Sequence, residues 1–498
     1  MVEQSQVRHD PHKPRRLGPV LAVLSVASFM AGLDLFIVNV AFDDIGRDFA
    51  GRSMADLSWV LNGYAIVFAA LLVPLGRLAD RYGRKPGLIA GLVVFTLASQ
   101  ACAVAPSLWW LVAFRVVQAA GAAALIPTSL GLLLSAYPPA RRAGAVRIWS
   151  ASAALAAAAG PAVGGVLVDV SWRWVFEVNI PIGIAVTLLA IFLVPGSRAA
   201  SGSGEGAADL GSGEGAAARV PDLAGTAVLT LATALLALGL VKINDWPSDR
   251  IAVVIAVALL GLAWFWLRSL RHPAPVIEPA LLAVRSFAWS NAAILLFSVA
   301  FAANLLLGVL WMQQIWHYSP IRTGLAVAPG PLMVPIMAVV AGRLAAARVP
   351  VGLITAVGCM LCAFGVVMIA MSLGPAPAYT SELLPGWLIG GTGVGLALPT
   401  ILSAAAVELP SHRYATGSAV VNMSRQIGTV LGVSLAVAVL GTPHGYPDAH
   451  NGYVNAWLMV AGFMVIAAIA ALGMTPRRPR PSSPTVPETE TEVVAGTP

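Results

Sequence analysis

Fourteen separate apolar segments run through this sequence, and each is long enough to cross a lipid bilayer as a helix. A bilayer-crossing helix needs about 20 mainly apolar residues. The segments lie at 18–41, 58–76, 86–105, 108–134, 147–168, 174–195, 222–242, 251–268, 289–312, 322–342, 350–373, 383–404, 415–440 and 454–474. The sequence therefore predicts an all-α polytopic membrane protein whose surroundings are the lipid bilayer.

The composition excludes the soluble classes of protein. Of the 498 residues, 58% are hydrophobic and 11% are charged, whereas soluble proteins carry roughly 25% charged residues. Three cysteines cannot form the framework of a disulfide-stabilised secreted domain. The net charge of +7 is spread over short clusters between the apolar segments rather than over one basic face, so we expect no nucleic acid partner.

The distribution of lysine and arginine predicts the orientation of the chain. An even number of segments puts both termini on the same side of the membrane. The termini and the even-numbered loops carry 22 of the 30 Lys and Arg residues, the odd-numbered loops carry six, and Arg115 and Arg425 lie inside segments. Because positive charge accumulates in cytoplasmic loops, we expect both termini to be cytoplasmic.

A short motif occurs twice, once after the second segment and again after the tenth. The first copy is GRLADRYGRKP at 76–86, and the second is GRLAAARVP at 342–350, without the acidic residue. Parallel repeats of six-helix halves are typical of transporters. If segments 1–6 and 9–14 are these halves, segments 7 and 8 are an inserted pair.

The repeat and two polar stretches together predict the domain plan. Residues 196–220 are rich in Gly, Ala and Ser and contain a tandem GSGEGAA, which is typical of a flexible linker. We expect a cytoplasmic N-terminal segment at 1–17, a six-helix bundle at 18–195, a cytoplasmic linker at 196–220, the inserted pair at 221–270, a cytoplasmic connector at 271–288, a second six-helix bundle at 289–475 and a disordered cytoplasmic tail at 476–498.

Five motifs, in the expected order, resemble the major facilitator superfamily and specifically its fourteen-helix drug:proton antiporter branch. They are LDLFIVNVA at 33–41, the loop at 76–86, RVVQAAG at 115–121, GPAVGG at 160–165 and SRQIG at 424–428. The resemblance covers nearly all of residues 18–474 and implies the major facilitator fold, with two six-helix halves and an inserted helix pair. The sequence departs from the family at Phe36, where Thr is usual, at Phe42-Asp43, where Leu-Pro is usual, and at Ala156, where Gly is usual.

The resemblance implies a secondary active transporter of the bacterial inner (plasma) membrane. Such a protein exports small amphipathic compounds, including drugs and antibiotics, in exchange for protons by alternating access. The alternatives are export of a single metabolite, such as an antibiotic or siderophore, a non-transporting membrane sensor, and a membrane-embedded enzyme. An enzyme is not expected, because the segments contain no cluster of His, Asp and Glu residues.

Neither ATP nor a cofactor is expected. The chain has no G-x-x-x-x-G-K-[ST] phosphate loop. Its C-x-x-C pattern, Cys359 to Cys362, lies in an apolar segment without the other ligands that zinc requires, so no metal site is predicted. The expected partners are therefore a small-molecule substrate and protons.

Ionisable residues inside the segments are the candidates for proton coupling, because charges in lipid are costly and usually functional. Asp34 and Arg115 lie at similar depths, roughly 10 Å and 9 Å from the outer ends of their segments, so they can meet if the two helices adjoin. Burial disfavours an ionised carboxylate, whereas a guanidinium nearby favours it. The alternative is a permanent ion pair that only fixes helix packing. Glu177 is a third candidate, and its alternative is an interfacial carboxylate paired with Arg173.

The motifs supply the other candidate residues, in three groups. The residues expected to line the substrate cavity are Asn39, Gln118 and Arg425. The residues expected to form a cytoplasmic latch between the halves, with the acidic one near the helix N-terminus at 415–417, are Gly76, Asp80, Arg81, Gly83 and Arg84. The residues expected to permit close helix approach during gating are Gly160, Pro161, Gly164 and Gly165. The alternatives are helix packing for Arg425, a solvated loop for the second group and ordinary helix packing for the third.

Overall fold

The computed structural model describes residues 17–195, 222–407, 409, 414–441 and 445–475. Fourteen helices in this part of the chain are long and apolar enough to cross a membrane, and we number them as spans 1 to 14. Their bounds are Leu17–Asp48, Met54–Tyr82, Arg84–Ala103, Leu108–Ala136, Gly144–Val170, Trp174–Leu193, Leu223–Val241, Ser248–Arg271, Arg285–Ile315, Pro320–Ala346, Val351–Ser372, Tyr379–Ala405, Thr416–Leu440 and Tyr446–Leu472. The predicted number and order of spans is confirmed. The predicted linker at 196–220 and tail at 476–498 lie outside the described residues.

Several spans are not single regular α-helices. Three consist of two consecutive helices, which are Met54–Leu57 and Trp59–Tyr82, Trp174–Glu177 and Asn179–Leu193, and Pro320–Val327 and Pro329–Ala346. Two include a π-helical turn, Trp311–Ile315 after Arg285–Leu310 and Tyr379–Leu383 before Leu384–Val407. The complete helices of spans 5 and 13 are Pro139–Val170 and Tyr414–Leu440, and the short helix Pro279–Leu282 precedes span 9.

The helices form two six-helix groups with the same packing pattern. In spans 1–6, the main contacts join spans 1 and 5, 2 and 4, 3 and 4, and 3 and 6. In spans 9–14, the corresponding contacts join spans 9 and 13, 10 and 12, 11 and 12, and 11 and 14. We call these groups the N-half and the C-half. Span 1 begins and span 14 ends at one face of the bundle, which we call the terminal face, and the other is the opposite face.

The inserted pair, spans 7 and 8, packs beside the seam between the halves. Span 7 contacts span 2 of the N-half and span 13 of the C-half. At the opposite face, Lys242 bonds Asp56 of span 2 at 3.1 Å, and the Asn244 amide donates to the Ala438 carbonyl of span 13 at 2.7 Å. Burial lowers the pKa of Lys242, but its bonds to Asp245 and Asp56 outweigh burial and raise it. The inserted pair therefore touches both halves at one face.

Glycines bring the halves into backbone contact at the opposite face. A Cβ on Gly165 of span 5 would lie 2.5 Å from the Pro320 carbonyl oxygen at the start of span 10. A Cβ on Gly324 of span 10 would clash with the Pro161 carbonyl oxygen of span 5. Only residues without a side chain permit this approach.

Hydrogen bonds between the halves lie at the same level as these glycines. The Gln313 amide of span 9 donates to the Val40 carbonyl of span 1 at 3.0 Å. The Asn62 amide of span 2 donates to the Ser434 hydroxyl of span 13 at 3.1 Å. The halves are thus closed against each other at the opposite face.

Gly324→Val is expected to open that face. The valine cannot be placed without separating spans 5 and 10, and overpacking costs roughly 1–3 kcal/mol. The open fraction should rise by about 5- to 150-fold. The measurement is maleimide labelling of Ser434→Cys, a buried position on a different span. Gly462→Val is the matched control, because no atom lies within 4 Å of a Cβ there. Equal labelling in both variants would contradict the role of this contact.

Candidate functional site

A fully buried ion pair lies inside the N-half. Asp34 of span 1 is 0% exposed and Arg115 of span 4 is 1% exposed. The Arg115 Nη1 atom donates to Asp34 Oδ2 at 2.5 Å, so the contact expected from their matched depths is present. The Arg115 Nε atom also donates to the Val60 carbonyl oxygen of span 2 at 3.2 Å.

Amide side chains complete the bonding of this pair. Gln118 lies one turn after Arg115 on the same face of span 4. Its Oε1 atom accepts from Arg115 at 2.7 Å, and its Nε2 atom donates to Asp34 Oδ1 at 2.8 Å and to the Ser99 hydroxyl of span 3 at 2.8 Å. The Asn179 amide of span 6 donates to the same Asp34 oxygen at 3.3 Å. Spans 1, 4 and 6 therefore meet at the Asp34 carboxylate, and spans 2 and 3 join the network through Arg115 and Gln118.

Aromatic rings cover the guanidinium of Arg115. Its Cζ atom lies 4.1 Å from the centroid of the Tyr64 ring and 5.6 Å from that of Phe176. Such contacts between a cation and an aromatic ring are favourable by roughly 0.5–2 kcal/mol. Tyr64 itself stacks on Phe68 with ring centroids 6.0 Å apart.

A cavity of about 290 Å³ lies between the two halves. The residues that line it extend from Ala405 and Gly417, at the terminal-face ends of spans 12 and 13, to Tyr64 and Gln426 inside the bundle. From Gly417 to Gln426 the helix rises about 14 Å. Because the halves touch at the opposite face, this cavity lies on the terminal side of their contact.

Tyr64 separates the buried ion pair from the cavity. Its ring lines the cavity and stacks on Arg115, whereas Asp34 and Arg115 are not lining residues. The site therefore has two parts. One is the hydrogen-bonded ion pair buried within the N-half, and the other is the cavity between the halves.

Span 13 presents polar atoms to the cavity that lack partners. Arg425 and Gln426 both line it. Within the described part of the chain, the Arg425 Nε atom and both amide atoms of Gln426 are buried without a hydrogen-bond partner. The cavity wall on the C-half side is therefore ready to bond a ligand or water.

The fold and the sequence have relatives among known membrane proteins. Residues 24–433 match the Major Facilitator Superfamily. The chain belongs to this superfamily. Multidrug resistance protein Stp of Mycobacterium tuberculosis is 32% identical over 476 residues, which cover 92% of this chain and 84% of the relative. Methylenomycin A resistance protein of Streptomyces coelicolor is 30% identical over 94% of each chain. A POT family transporter bound to a thioalcohol conjugated peptide shares the fold, with a TM-score of 0.65 and 15% identity over 90% of this chain and 94% of that one.

Asn39 and Gln118, which were predicted to line the substrate cavity, do not line it. Asn39 donates to the carbonyl oxygens of Leu35 and Phe36 in its own helix, at 3.1 and 3.3 Å. Gln118 bonds the buried ion pair instead. Of the three predicted residues, Arg425 lines the cavity.

The structure contradicts one of the two interpretations of Glu177, the pairing with Arg173. Glu177 is half-buried, and its predicted partner Arg173 bonds Asp48 at 2.7 Å, so the interpretation as an Arg173–Glu177 pair is wrong. No hydrogen bond or ion pair joins Glu177 to the buried pair among the residues described, whereas Asn179, two positions later, bonds Asp34. A role for Glu177 in coupling stays a prediction.

The predicted loop motif at 76–86 occupies the last turns of span 2 and the first turn of span 3, and Asp80 and Arg84 bond within the N-half. Asp80 bonds Arg84 at 2.6 Å, and Arg84 Nη1 donates to the Gly131 carbonyl of span 4 at 3.1 Å. Gly83, between the helices, has a φ of +112°, which favours glycine. In place of the predicted contact with the N-terminus of span 13, Asp80 thus has a partner in its own loop. Gly76 packs on Pro127 of span 4, with its Cβ position 3.1 Å from that ring.

The remaining loop residue, Arg81, lies over the Tyr82 ring, with its Cζ atom 5.4 Å from the centroid. The motif also contacts the connector before span 9, where Arg77 Nη2 lies 3.3 Å from Glu278 Oε1. The latch therefore stays a prediction for a state that is closed at the terminal face.

The GPAVGG motif divides its glycines between two contacts. Gly160 and Gly164 pack on span 1, where added Cβ atoms would lie 2.7 Å from Phe36 Cβ and 3.0 Å from Ile37 Cγ1. Gly165 and the Pro161 carbonyl instead contact span 10 of the C-half. The motif thus contributes both to packing within the N-half and to the closed contact between halves.

Sequence reasoning missed Asn179, Ser99 and Tyr64. Asn179 carried a signal, because an amide in an apolar segment needs a bonding partner. Ser99 and Tyr64 carried none, because serine can bond its own helix and tyrosine is common in ordinary cores.

Arg115→Ala is expected to destabilise the protein strongly. Removing one partner of a buried ion pair costs about 3–5 kcal/mol. The double variant Asp34→Asn/Arg115→Ala should recover part of this loss, since no unpaired charge remains. The measurement is thermal denaturation of the purified protein in detergent. Arg343→Ala is the control, because Arg343 is exposed and has no ion pair within the described part of the chain. If the double variant is no more stable than Arg115→Ala, the unpaired charge of Asp34 is not the cause of the destabilisation.

Proposed function

We propose that this chain exports small amphipathic compounds in exchange for protons by alternating access, with both termini in the cytoplasm of a bacterium. The observation that carries the proposal is a bonded carboxylate beside a cavity between the halves. Relatives named for multidrug resistance, methylenomycin A resistance and cephamycin export support drug-like substrates. The 22 Lys and Arg residues of the termini and even-numbered loops support the orientation.

In this proposal the terminal face is cytoplasmic, and the structure corresponds to the inward-facing state. The cavity would then receive substrate from the cytoplasm, while the contact of Gly165 and Gly324 closes the outer side. Export requires that contact to open and the terminal side to close, which is the rocking of one half against the other that this class of fold uses.

Asp34 is the proposed site of proton binding. As a carboxylate it accepts hydrogen bonds from Arg115, Gln118 and Asn179. A protonated carboxylic acid is a donor at one oxygen and can no longer accept all of these bonds. Protonation would therefore release Arg115 from Asp34, and the freed guanidinium is stacked on Tyr64 at the cavity wall. In this way the Tyr64 ring links proton binding at Asp34 to the shape of the cavity.

Dedicated export of a single metabolite is the second candidate function. It is favoured by a relative named as a probable actinorhodin transporter, 33% identical over 85% of this chain and 71% of the relative. Transport assays in vesicles with several unrelated compounds separate the two functions, because a dedicated exporter moves one of them.

Asp34→Asn is expected to abolish gradient-driven export. The amide keeps the shape of the side chain but has no proton to exchange. The measurement is proton release from purified protein on substrate addition, followed with a pH indicator across a pH series. Asp48→Asn is the matched control, because that carboxylate is 42% exposed at the end of the same span. Unchanged proton release from Asp34→Asn would remove Asp34 as the coupling site and leave Glu177 as the next candidate.

Asp80→Asn is expected to leave the protein folded and inserted but to reduce transport. If Asp80 holds the terminal face closed during part of the cycle, its neutralisation favours the state with an open cavity. Maleimide labelling of Ser418→Cys, on the cavity wall, should increase. Asp249→Asn, exposed at the opposite face, is the control. Normal export together with unchanged labelling would reduce this loop to a marker of topology.

A further inference from the structure

We propose that the transported compounds carry an oxyanion, such as a carboxylate or phenolate, on an aromatic or otherwise apolar body, and that Arg425 binds the oxyanion. This inference rests on the proposed export function and specifies its substrate class.

The charge of the cavity wall is the first observation. Among the described residues that line the cavity, Arg425 is the only Lys, Arg, Asp or Glu. The buried carboxylate, Asp34, is bonded to Arg115 and lies behind the Tyr64 ring. A ligand in the cavity therefore meets one positive charge and no negative charge.

Arg425 lacks an acidic partner of its own. In the described ranges no carboxylate lies within ion-pair distance of it, and its Nε atom is buried without a bond. Arg425 is partly buried, and a partly buried cation without a counter-charge is costly. An anionic ligand removes this cost, whereas a cationic ligand increases it.

The neighbouring polar atoms are the second, independent observation. Gln426 is 1% exposed and lines the cavity, and neither its Nε2 nor its Oε1 atom has a partner within the structure described. The Tyr64 and Ser28 hydroxyls, which also line the cavity, are buried without partners. A guanidinium offers five N–H donors, and the amide and hydroxyls add further donors. This excess of donors suits the lone pairs of an oxyanion.

The N-half side of the cavity is mainly apolar. The aromatic residues Phe36, Phe68 and Trp149 line it together with Leu35 and Ile126. The indole nitrogen of Trp149 donates to the Ser129 hydroxyl at 3.2 Å, so its ring is held in place. Aromatic walls around a few polar groups are typical of sites for small organic molecules. The apolar body of the ligand fits against these rings while its oxyanion reaches span 13.

The test uses three probes with one body and different charges, which are 2-naphthoate, 2-naphthylmethanol and 2-naphthylmethylammonium. Binding to the purified full-length protein in lipid nanodiscs is measured by equilibrium dialysis, with empty nanodiscs subtracted. We expect naphthoate to bind at least about tenfold more tightly than either other probe, because hydrogen bonds to charged groups are the stronger ones.

Substitutions of Arg425 test whether this side chain causes the preference for naphthoate. Arg425→Gln should abolish the advantage of naphthoate and leave the affinity for the alcohol within about twofold, while Arg425→Lys should keep much of the advantage because it keeps the charge. Arg343→Gln is the matched control, since Arg343 is exposed and does not line the cavity. Retained binding of the alcohol shows that Arg425→Gln is folded, and if that variant does not fold, Arg425→Lys and the three-probe series decide.

Three results would overturn the proposal: tighter binding of the ammonium than of the carboxylate, a naphthoate preference that survives Arg425→Gln, or no measurable binding of any probe. The failure of the export function is a separate result. Selective naphthoate binding without proton-driven flux in vesicles would reject export and keep the anion site. Proton-driven flux of cations without naphthoate preference would reject the anion site and keep export.

Discussion

A charge buried in a membrane bundle must be bonded by protein atoms on every side, because neither lipid nor excluded water can do so. The bonding of Asp34 by Arg115, Gln118 and Asn179 meets this requirement. These bonds need spans 1, 4 and 6 at fixed rotations, and the Val60 carbonyl and Ser99 hydroxyl extend the network to spans 2 and 3. The helix arrangement of the N-half is therefore tied to a single carboxylate.

The halves share a packing pattern but differ in their polar chemistry. The N-half buries opposite charges and bonds them, whereas the C-half presents Arg425 and Gln426 to the cavity with atoms unpaired. An internal charge pair is suited to a proton, and unpaired donors are suited to a larger ligand. Tyr64, which touches Arg115 and lines the cavity, lies between these two sets of polar groups.

Sequence alone was sufficient where the physical requirement is local. The length and apolar content of each segment predict fourteen spans, and helical rise predicts that Asp34 and Arg115 can meet. Rotation about the helix axis was not predictable in the same way, as Asn39 illustrates: it bonds its own helix instead of lining the cavity. In a soluble helix, polar and apolar faces reveal rotation, but in a membrane bundle both the interior and the lipid side are apolar. The ion pair between Arg173 and Asp48 was not predicted either, because the two residues are 125 positions apart in the sequence.

The loop between spans 7 and 8 has a consequence for how such a carrier can be inhibited. Lys242 holds Asp56 of one half, and Asn244 holds the Ala438 carbonyl of the other. The halves cannot separate at this face unless one of these bonds breaks. A molecule that bound the loop and strengthened both attachments would arrest the cycle without entering the cavity. Such an inhibitor would bind at a site separate from the substrate cavity. Because coupling between sites is reciprocal, a substrate that favours the closed state would strengthen its binding.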